Sequence, residues 1–209
     1  ENGYGAAIYI HIPFCESLCT FCGCNKRITK KHELSLPYIQ TVHKEWQLYK
    51  QKLGVDKINV SEIHLGGGTP TFMEPHELQA LLEPLMADFN LKEDHEFSFE
   101  ADPRVTNKEH MKTLYDLGFR RLSFGIQDFD PKVQEIVNRI QSEEDVRKLT
   151  EDAREIGYTS INYDLIYGLP LQTEESVRRT VGFVNELLPD RSAFYSYAHV
   201  PWISPSQRK

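Results

Sequence analysis

Four cysteines within a ten-residue stretch are the residues of this sequence with the clearest capacity for chemistry. Cys15, Cys19, Cys22 and Cys24 are the only cysteines among its 209 residues. A disulfide stabilises a protein mainly by closing a long loop, and any bridge between these neighbours would close a very short one. We therefore interpret them as reduced thiols that bind a metal, in an intracellular protein.

The C-x3-C-x2-C spacing of the first three cysteines favours an iron–sulfur cluster over zinc. Structural zinc sites with four cysteines usually draw on two separated C-x2-C pairs, and this sequence has no second pair. A cubane iron–sulfur cluster is wide enough to be held by thiolates from one continuous loop, here Cys15, Cys19 and Cys22. Three thiolates would leave one iron without a protein ligand. Zinc stays open as the alternative.

The composition is that of a soluble globular domain. Hydrophobic residues make up 40% and charged residues 26% of the chain, and its length suits one domain. The net charge of −7 argues against nucleic-acid binding, which usually needs a basic surface. The longest apolar run, residues 6–14, is too short to span a bilayer, and the N-terminus lacks a signal-peptide pattern. We therefore expect a soluble cytoplasmic protein.

Short runs of β-branched and aromatic residues alternate with longer amphipathic stretches along the chain. This alternation predicts a parallel sheet joined by helical crossovers. The predicted strands cover residues 6–12, 60–66, 95–101, 120–127, 159–167 and 192–199. The predicted helices cover residues 35–53, 75–89, 107–117, 131–138, 143–156 and 173–187.

Glycine and proline indicate where several of these helices end or bend. Gly118 and Gly157 follow helical stretches at positions where a left-handed C-terminal cap is typical. Pro84 lies inside the stretch that starts at residue 75, and we predict that it kinks this helix or splits it in two.

Polar or glycine-rich motifs occur where the predicted strands end. In parallel α/β folds the loops after the carboxyl ends of the strands converge, and the functional site forms there. We therefore predict that these motifs build one site. They are the cysteine loop after the first strand, residues 66–69 after the second, Glu100 at the third, Gln127 at the fourth and Asp164 in the fifth.

These motifs together resemble a known family. The C-x3-C-x2-C motif with Phe21 before its third cysteine resembles the signature of the radical S-adenosylmethionine (SAM) enzymes. Over nearly its whole length the chain is similar to the oxygen-independent coproporphyrinogen III oxidases of that superfamily. The stretches that carry this similarity are residues 9–15, 22–25, 65–71, 99–103, 123–127 and 163–170.

The resemblance implies an α/β fold, an open six-stranded parallel (β/α)6 partial TIM barrel of the radical SAM type. A complete eight-stranded barrel would need a longer chain. The resemblance further implies that residues 1–209 form a radical SAM core domain, truncated at both ends relative to the full-length oxidases.

The resemblance also implies the cofactors, a [4Fe–4S] cluster and SAM, with two SAM molecules expected. It assigns the cluster to Cys15, Cys19 and Cys22, and a catalytic role in the oxidases to Cys24. Its implied residues for the first SAM are Tyr9, Gly67, Gly68, Thr69 and Glu100, the last on the ribose hydroxyls. Its implied residues for the second SAM are Phe21, Gln127, Arg139, Asp164, Ile166 and Ala198.

The activity implied by the resemblance is the oxygen-independent oxidative decarboxylation of coproporphyrinogen III to protoporphyrinogen IX in haem biosynthesis. In that chemistry the reduced cluster passes an electron to SAM, and the resulting 5′-deoxyadenosyl radical takes a hydrogen from a propionate side chain. The implied partners are the tetrapyrrole substrate and an electron donor, without nucleic acid or membrane, and the protein is expected to be a monomer.

Two alternative functions stay open. One is a haem-chaperone relative with the same barrel and cluster but no oxidase activity. The other is a zinc-stabilised structural domain. Because the resembled oxidases carry an extra cysteine that this chain has at Cys24, the sequence favours the oxidase over the chaperone.

Overall fold

The computed structural model of the chain describes residues 5–202 and 204–208, so residues 1–4, 203 and 209 lie outside the described part. Its centre is a parallel sheet in which each strand pairs with its neighbours in chain order. Within the described residues this sheet has six strands, and the first and last strands do not pair with each other. The predicted open α/β fold is therefore confirmed. The strands are β1 (Ala6–Ile12), β2 (Ile58–Gly67), β3 (Phe89–Ala101), β4 (Arg121–Gln127), β5 (Ser160–Tyr167) and β6 (Arg191–Ser196).

Helices connect successive strands, with two of them between β4 and β5. Each predicted helix is present, with ends that differ from the prediction by a few residues. Among the described residues, no helix is both long enough and apolar enough to cross a membrane. The helices are α1 (Ser35–Leu53), α2 (Pro75–Met86), α3 (Lys108–Asp116), α4 (Pro131–Ile136), α5 (Glu143–Ile156) and α6 (Glu174–Leu187).

Helix α2 continues through Pro84 as one helix, so of the two predicted effects of Pro84, a kink or a split, the split is wrong. Pro84 lies in the last turn of the helix, where its missing N–H removes only one bond near an end. The helix then ends at Met86, earlier than predicted, because β3 already begins at Phe89. By contrast, Gly118 and Gly157 have φ angles of +96° and +112° after α3 and α5, which confirms both predicted caps.

Strand β3 begins six residues earlier than the prediction of 95–101. Residues 89–91 pair with residues 58–60 of β2, and the register then shifts before the pairing resumes at Glu96. Because residues 92–95 are polar or charged, this part of the sequence shows no apolar alternation, and the early start of the strand could not be predicted from it. Strand β6, in contrast, ends at Ser196, before the predicted residue 199.

The sheet has one apolar face and one polar face. Along β4 and β5, buried residues alternate with partly exposed ones. Phe124 and Tyr163 are fully buried in the core shared with the helices, whereas Ser123 and Asp164 point into the opposite face. Parallel strands covered on both faces read as continuous apolar runs. The alternation here leaves the inner face free to carry a polar site.

Candidate metal and cofactor site

The loop that carries the four thiols lies between β1 and α1 and is closed at its base. The two-residue strands Phe14–Cys15 and Arg27–Ile28 pair in parallel. The ammonium group of Lys26 donates a hydrogen bond to the carbonyl of Cys22 at 2.9 Å. The two ends of the loop are therefore held next to each other.

Contacts from the segment after α4 hold the middle of this loop. The amide of Thr20 donates to the carbonyl of Val137 at 3.0 Å. The side-chain amide of Asn138 donates to the carbonyl of Leu18 at 2.8 Å. Asn138 has a φ angle of +55°, a conformation that asparagine tolerates better than most residues. The chain more than a hundred residues downstream thus fixes the cysteine loop in place.

The thiols open onto a cleft at the carboxyl ends of the central strands. Its volume is about 280 Å³, near the lower limit of small-molecule sites. The structure brings most of the sequence-predicted site residues to its walls, while their individual roles stay predictions. They are Cys15, Cys19, Phe21, Cys22, Cys24, Gly67, Gly68, Thr69, Glu100, Gln127, Arg139 and Asp164.

Tyr9 is not among the residues that line the cleft, but it lies at its border. Its ring stacks on His64 with a centroid distance of 5.8 Å and an interplanar angle of 17°. Burial raises the pKa of Tyr9, and the nearby Glu100 carboxylate raises it further. Tyr9 is thus adjacent to the predicted SAM residue Glu100.

Like Tyr9, the predicted site residues Ile166 and Ala198 do not line the cleft. Ile166 packs, with Phe21, against a small apolar cluster around α4. The carbonyl of Ala198 accepts a hydrogen bond from the Gln207 amide at 3.2 Å. Both residues are therefore engaged in contacts of the chain with itself.

Cys19 is buried between two arginines. Arg104 Nη2 lies 3.4 Å and Arg139 Nη1 lies 3.5 Å from its Sγ. Asp102 joins the two guanidinium groups through its Oδ2, at 2.6 Å from Arg104 and 3.2 Å from Arg139. Burial would raise the pKa of Asp102, but Arg139 and Arg104 together hold it below its usual value. The carboxylate is therefore ionised, and positive charge surrounds the Cys19 sulfur.

Cys22 and Cys24 shift each other's pKa in opposite directions. The thiol of Cys24 forms a hydrogen bond with Cys22, and this bond lowers the pKa of Cys22 to about 6, with help from Lys26 and Arg139. The same bond raises the pKa of Cys24. Cys22 is therefore ready to act as a thiolate ligand near neutral pH, whereas Cys24 stays a thiol.

The glycines after β2 are crowded by the start of the cysteine loop. A Cβ atom on Gly68 would lie 2.7 Å from the carbonyl oxygen of Pro13, and one on Gly67 would lie 2.8 Å from that of Ile12. Gly67 also has a φ angle of +117°. Because neither glycine has a side chain, β2 can approach the loop closely, and Thr69 Oγ1 lies 3.5 Å from Cys15 Sγ.

Glu100 near the end of β3 has both carboxylate oxygens engaged. Its Oε2 accepts from the amide of Gly67 at 3.3 Å, and its Oε1 lies 3.4 Å from His64 Nε2. The side chain is nevertheless 45% exposed toward the cleft. It retains acceptor capacity for a hydroxyl group there, since a carboxylate has about four lone-pair sites.

The far side of the cleft holds Asp164 and Gln127. Asp164 accepts hydrogen bonds from Ser123 Oγ at 2.7 Å and Asn162 Nδ2 at 2.9 Å. Burial raises the pKa of this carboxyl even with these partners. Gln127 ends β4 with a φ angle of +68°, which is strained for a residue with a side chain. Strain of this kind is common at functional sites.

Sequence reasoning missed Asp102, Arg104, Ser123 and Gly125, which also line the cleft. The available signal was their position, since each lies within or just after a strand-end motif that the sequence analysis used. Gly125 allows Arg139 to approach, because a Cβ there would lie 2.9 Å from Arg139 Nη2.

The donor set of the cleft fits an iron–sulfur cluster and SAM. The four cysteines are unpaired thiols, and three of them are the soft sulfur ligands that such clusters need. Carboxylates and arginines around them can meet the ammonium, ribose and carboxylate groups of SAM. In the described part of the chain, no three His, Cys, Asp or Glu side chains lie close enough together to hold a single metal ion.

Comparison with protein families decides the superfamily. The profile described as "Radical SAM superfamily" matches residues 9–184, which is most of the chain. The chain belongs to the radical SAM superfamily. This superfamily uses a [4Fe–4S] cluster and SAM.

Curated relatives of this radical SAM chain are oxygen-independent coproporphyrinogen III oxidases. The Helicobacter pylori oxidase is 45% identical over 210 aligned residues, which cover 100% of this chain and 46% of the relative. The Escherichia coli oxidase is 44% identical over 203 residues, which cover 97% of this chain and 44% of the relative. The chain thus spans a little under half the length of these relatives.

Solved structures agree with the radical SAM assignment. The coproporphyrinogen III oxidase from Escherichia coli, described as a radical SAM enzyme, superposes with a TM-score of 0.90 at 44% identity. That match covers 97% of this chain and 46% of the oxidase. The radical SAM methyltransferase TsrM from Kitasatospora setae matches with a TM-score of 0.62 at 16% identity, which shows a shared fold.

Proposed function

We propose that this chain is the radical SAM core of an oxygen-independent coproporphyrinogen III oxidase. Such an enzyme converts two propionate side chains of coproporphyrinogen III to vinyl groups and so forms protoporphyrinogen IX in haem biosynthesis. The observation that carries the proposal is the 44–45% identity to oxidases over nearly the whole chain. The chain matches a little under half the length of these oxidases, and the activity of the whole enzymes is therefore a proposal for it.

In this proposal Cys15, Cys19 and Cys22 hold the [4Fe–4S] cluster, and Cys24 is the catalytic cysteine beside it. The cluster and SAM together supply one-electron chemistry that removes a hydrogen atom from the substrate. The chain itself binds and orients these groups and limits the access of water to the cleft. The lowered pKa of Cys22 and the raised pKa of Cys24 support the division between ligand and thiol.

The cleft offers two sets of residues for two SAM molecules. Gly67, Thr69 and Glu100 lie on the β2–β3 side, with Tyr9 at the border. On the other side Gln127, Arg139 and Asp164 form a second polar set beside Phe21. Ile166 and Ala198 belong to the second set by resemblance.

We further infer a cytoplasmic monomer that receives electrons from a separate donor and acts on a tetrapyrrole. The acidic net charge supports the expectation that nucleic acid is not a partner.

Anaerobic reconstitution with iron and sulfide tests the cluster assignment. Alanine at Cys15, Cys19 or Cys22 should each abolish the cluster, whereas Cys24→Ala should retain it and still bind SAM. Iron and sulfide content and the visible absorbance of the cluster provide the readout. Loss of iron in Cys24→Ala but not in one of the other three variants would contradict the assignment.

A second assay separates the oxidase from the haem-chaperone alternative. The full-length protein should form protoporphyrinogen from coproporphyrinogen III with SAM and a reductant. Stable haem binding without any decarboxylation would favour the chaperone, and a colourless protein with one bound zinc would favour the structural domain.

A further inference from the structure

Arg104 makes a contact with the cluster loop that none of the assigned roles explains. It lies in the loop after β3 and reaches Cys19, whose Sγ is 3.4 Å from its Nη2. Its Nη1 donates to Ser17 Oγ at 3.1 Å. Its side chain is 20% exposed, so the guanidinium is largely removed from water. A cation in such a position interacts with the sulfur far more strongly than it would in solvent.

The charges around Cys19 leave a net positive environment. Arg104 and Arg139 contribute two positive charges, and Asp102 contributes one negative charge, so one positive charge remains. Asp102 also fixes the orientation of Arg104, because its Oδ1 accepts from the Arg104 backbone amide and from Nε, both at 3.0 Å. The Nη2 donor is thereby held on the side of the thiol.

Arg139 differs from Arg104 in what it binds. Its Nε and Nη2 donate to the carbonyl of Gly125 at 3.1 and 2.6 Å. Arg139 is therefore anchored to β4 and reaches Cys19 with its Nη1 alone. In the described part of the chain the guanidinium of Arg104 has no such bond to a sheet strand, and its donors are divided between Asp102, Ser17, Cys19 and the carbonyl of Asn138.

From this geometry we propose that Arg104 is a positioning residue that sets the reduction potential of the cluster through the Cys19 sulfur. This inference rests on the proposed function, since it requires a cluster on Cys15, Cys19 and Cys22. A reduced cluster carries one more negative charge than an oxidised one, so a nearby cation that donates to a ligand sulfur stabilises the reduced form. Arg104 makes the cluster easier to reduce, and Asp102 offsets part of this effect.

Reduction potentials of reconstituted variants of this chain test the proposal. Arg104→Met removes the charge and the N–H···S bond, and it should shift the midpoint potential to more negative values. A tenfold change in the one-electron equilibrium, about 59 mV, is the expected size. Asp102→Asn keeps a side-chain carbonyl oxygen that can accept from the Arg104 backbone amide and Nε, but it removes the opposing charge, so it should shift the potential in the positive direction. The potentials are measured by titration with dithionite, with electron paramagnetic resonance reporting the fraction of reduced cluster.

Two controls separate a change of potential from a change of structure. Arg178→Met removes an exposed arginine that pairs with Glu174 and should leave the potential unchanged. Arg104→Lys keeps the charge without the fork and should recover part of the shift. Iron content and thermal unfolding of every variant report whether the loop is intact.

The possible results bear differently on the two proposals. Equal potentials in wild type and Arg104→Met, at equal iron content, would overturn the role of Arg104 alone. Shifts of the same sign in Arg104→Met and Asp102→Asn would also overturn this role. Loss of the cluster in both Arg104→Met and Arg104→Lys would overturn it as well. A wild-type chain that takes up no cluster would overturn the proposed function and this inference with it.

Discussion

At the scale of single residues, the hydrogen-bond partners in the cleft decide how its thiols and carboxylates behave. Cys22 and Cys24 are chemically identical side chains two residues apart, yet the interaction between them lowers the pKa of Cys22 and raises that of Cys24. Asp164 lies deeper in the cleft, and its burial raises the pKa of this carboxyl despite the hydrogen bonds from Ser123 and Asn162.

The Cys22 thiol should react with iodoacetamide along a pH profile with a midpoint near 6, because its pKa is lowered to about 6. Since Cys24 provides the largest part of this effect, Cys24→Ala should move the midpoint toward the ordinary cysteine value, about 8.5. Mass spectrometry of the Cys22 peptide in the metal-free protein gives the rate. Cys15→Ala serves as the control and should leave the midpoint in place.

Glu100→Ala should weaken SAM binding by about 1–3 kcal/mol, the cost of losing a charge-assisted hydrogen bond to the ribose. Calorimetry on the reconstituted protein measures this difference. Glu45→Ala, an exposed position on α1, is the matched control. The ribose role of Glu100 would be untenable if both variants bound SAM like the wild type.

The sequence could reveal part of this site and not the rest. The thiols and Glu100 could be predicted, because residue type, spacing and position at a strand end all point to them. For Asp102 and Arg104 the only signal was their position by a strand end, and their contacts with Cys19 and Arg139, which are distant in sequence, could not be predicted from it. Ile166 and Ala198 came from resemblance alone, and the structure places both outside the cleft walls.

At the scale of elements, close packing between β2 and the cysteine loop brings predicted residues of the first SAM site next to the predicted cluster ligands. The amide of Gly68 donates to the carbonyl of Ile12 at 2.7 Å, which ties the end of β2 to the end of β1. Most helix and strand positions followed from periodicity, whereas the early start of β3 did not, because its pairing with β2 occurs in a charged segment.

Gly68→Ala should lower the free energy of unfolding by about 1–3 kcal/mol, the usual range for overpacking, since the new Cβ would overlap the backbone of Pro13 and Phe14. Gly182→Ala in α6 is the matched control, because its Cβ would meet nothing within 4 Å. There alanine should stabilise by about 0.5–1 kcal/mol through its higher helix propensity. Urea denaturation measures both, and equal effects would contradict the packing argument.

At the scale of the whole molecule, the open sheet with a polar inner face provides one continuous cleft for several groups. The residues on its two sides come from different pairs of strands, β2–β3 and β4–β5. The resemblance is the basis for predicting two SAM molecules and their two residue sets. The fold adds that the polar members of these sets lie on different sides of one cleft.

Calorimetric titration of the reconstituted protein should reveal two SAM molecules for each chain. Asp164→Asn should weaken the second binding event and leave the first unchanged, because Asp164 accepts its hydrogen bonds from Ser123 and Asn162 on the β4–β5 side. A single binding event in the wild type, or an equal loss of both events in the variant, would contradict two separate sites.

The long-range contacts of the cysteine loop also determine when a growing chain could hold a cluster. The loop leaves the ribosome before Arg104, Val137 and Asn138, which hold it and are made about a hundred residues later. At typical rates of synthesis of about 5–20 residues per second, the cysteine loop therefore lacks these contacts for several seconds. Iron inserted during that interval would meet a mobile loop with its sulfurs open to oxygen. Cluster assembly on the finished domain is thus the safer order for this protein in the cell.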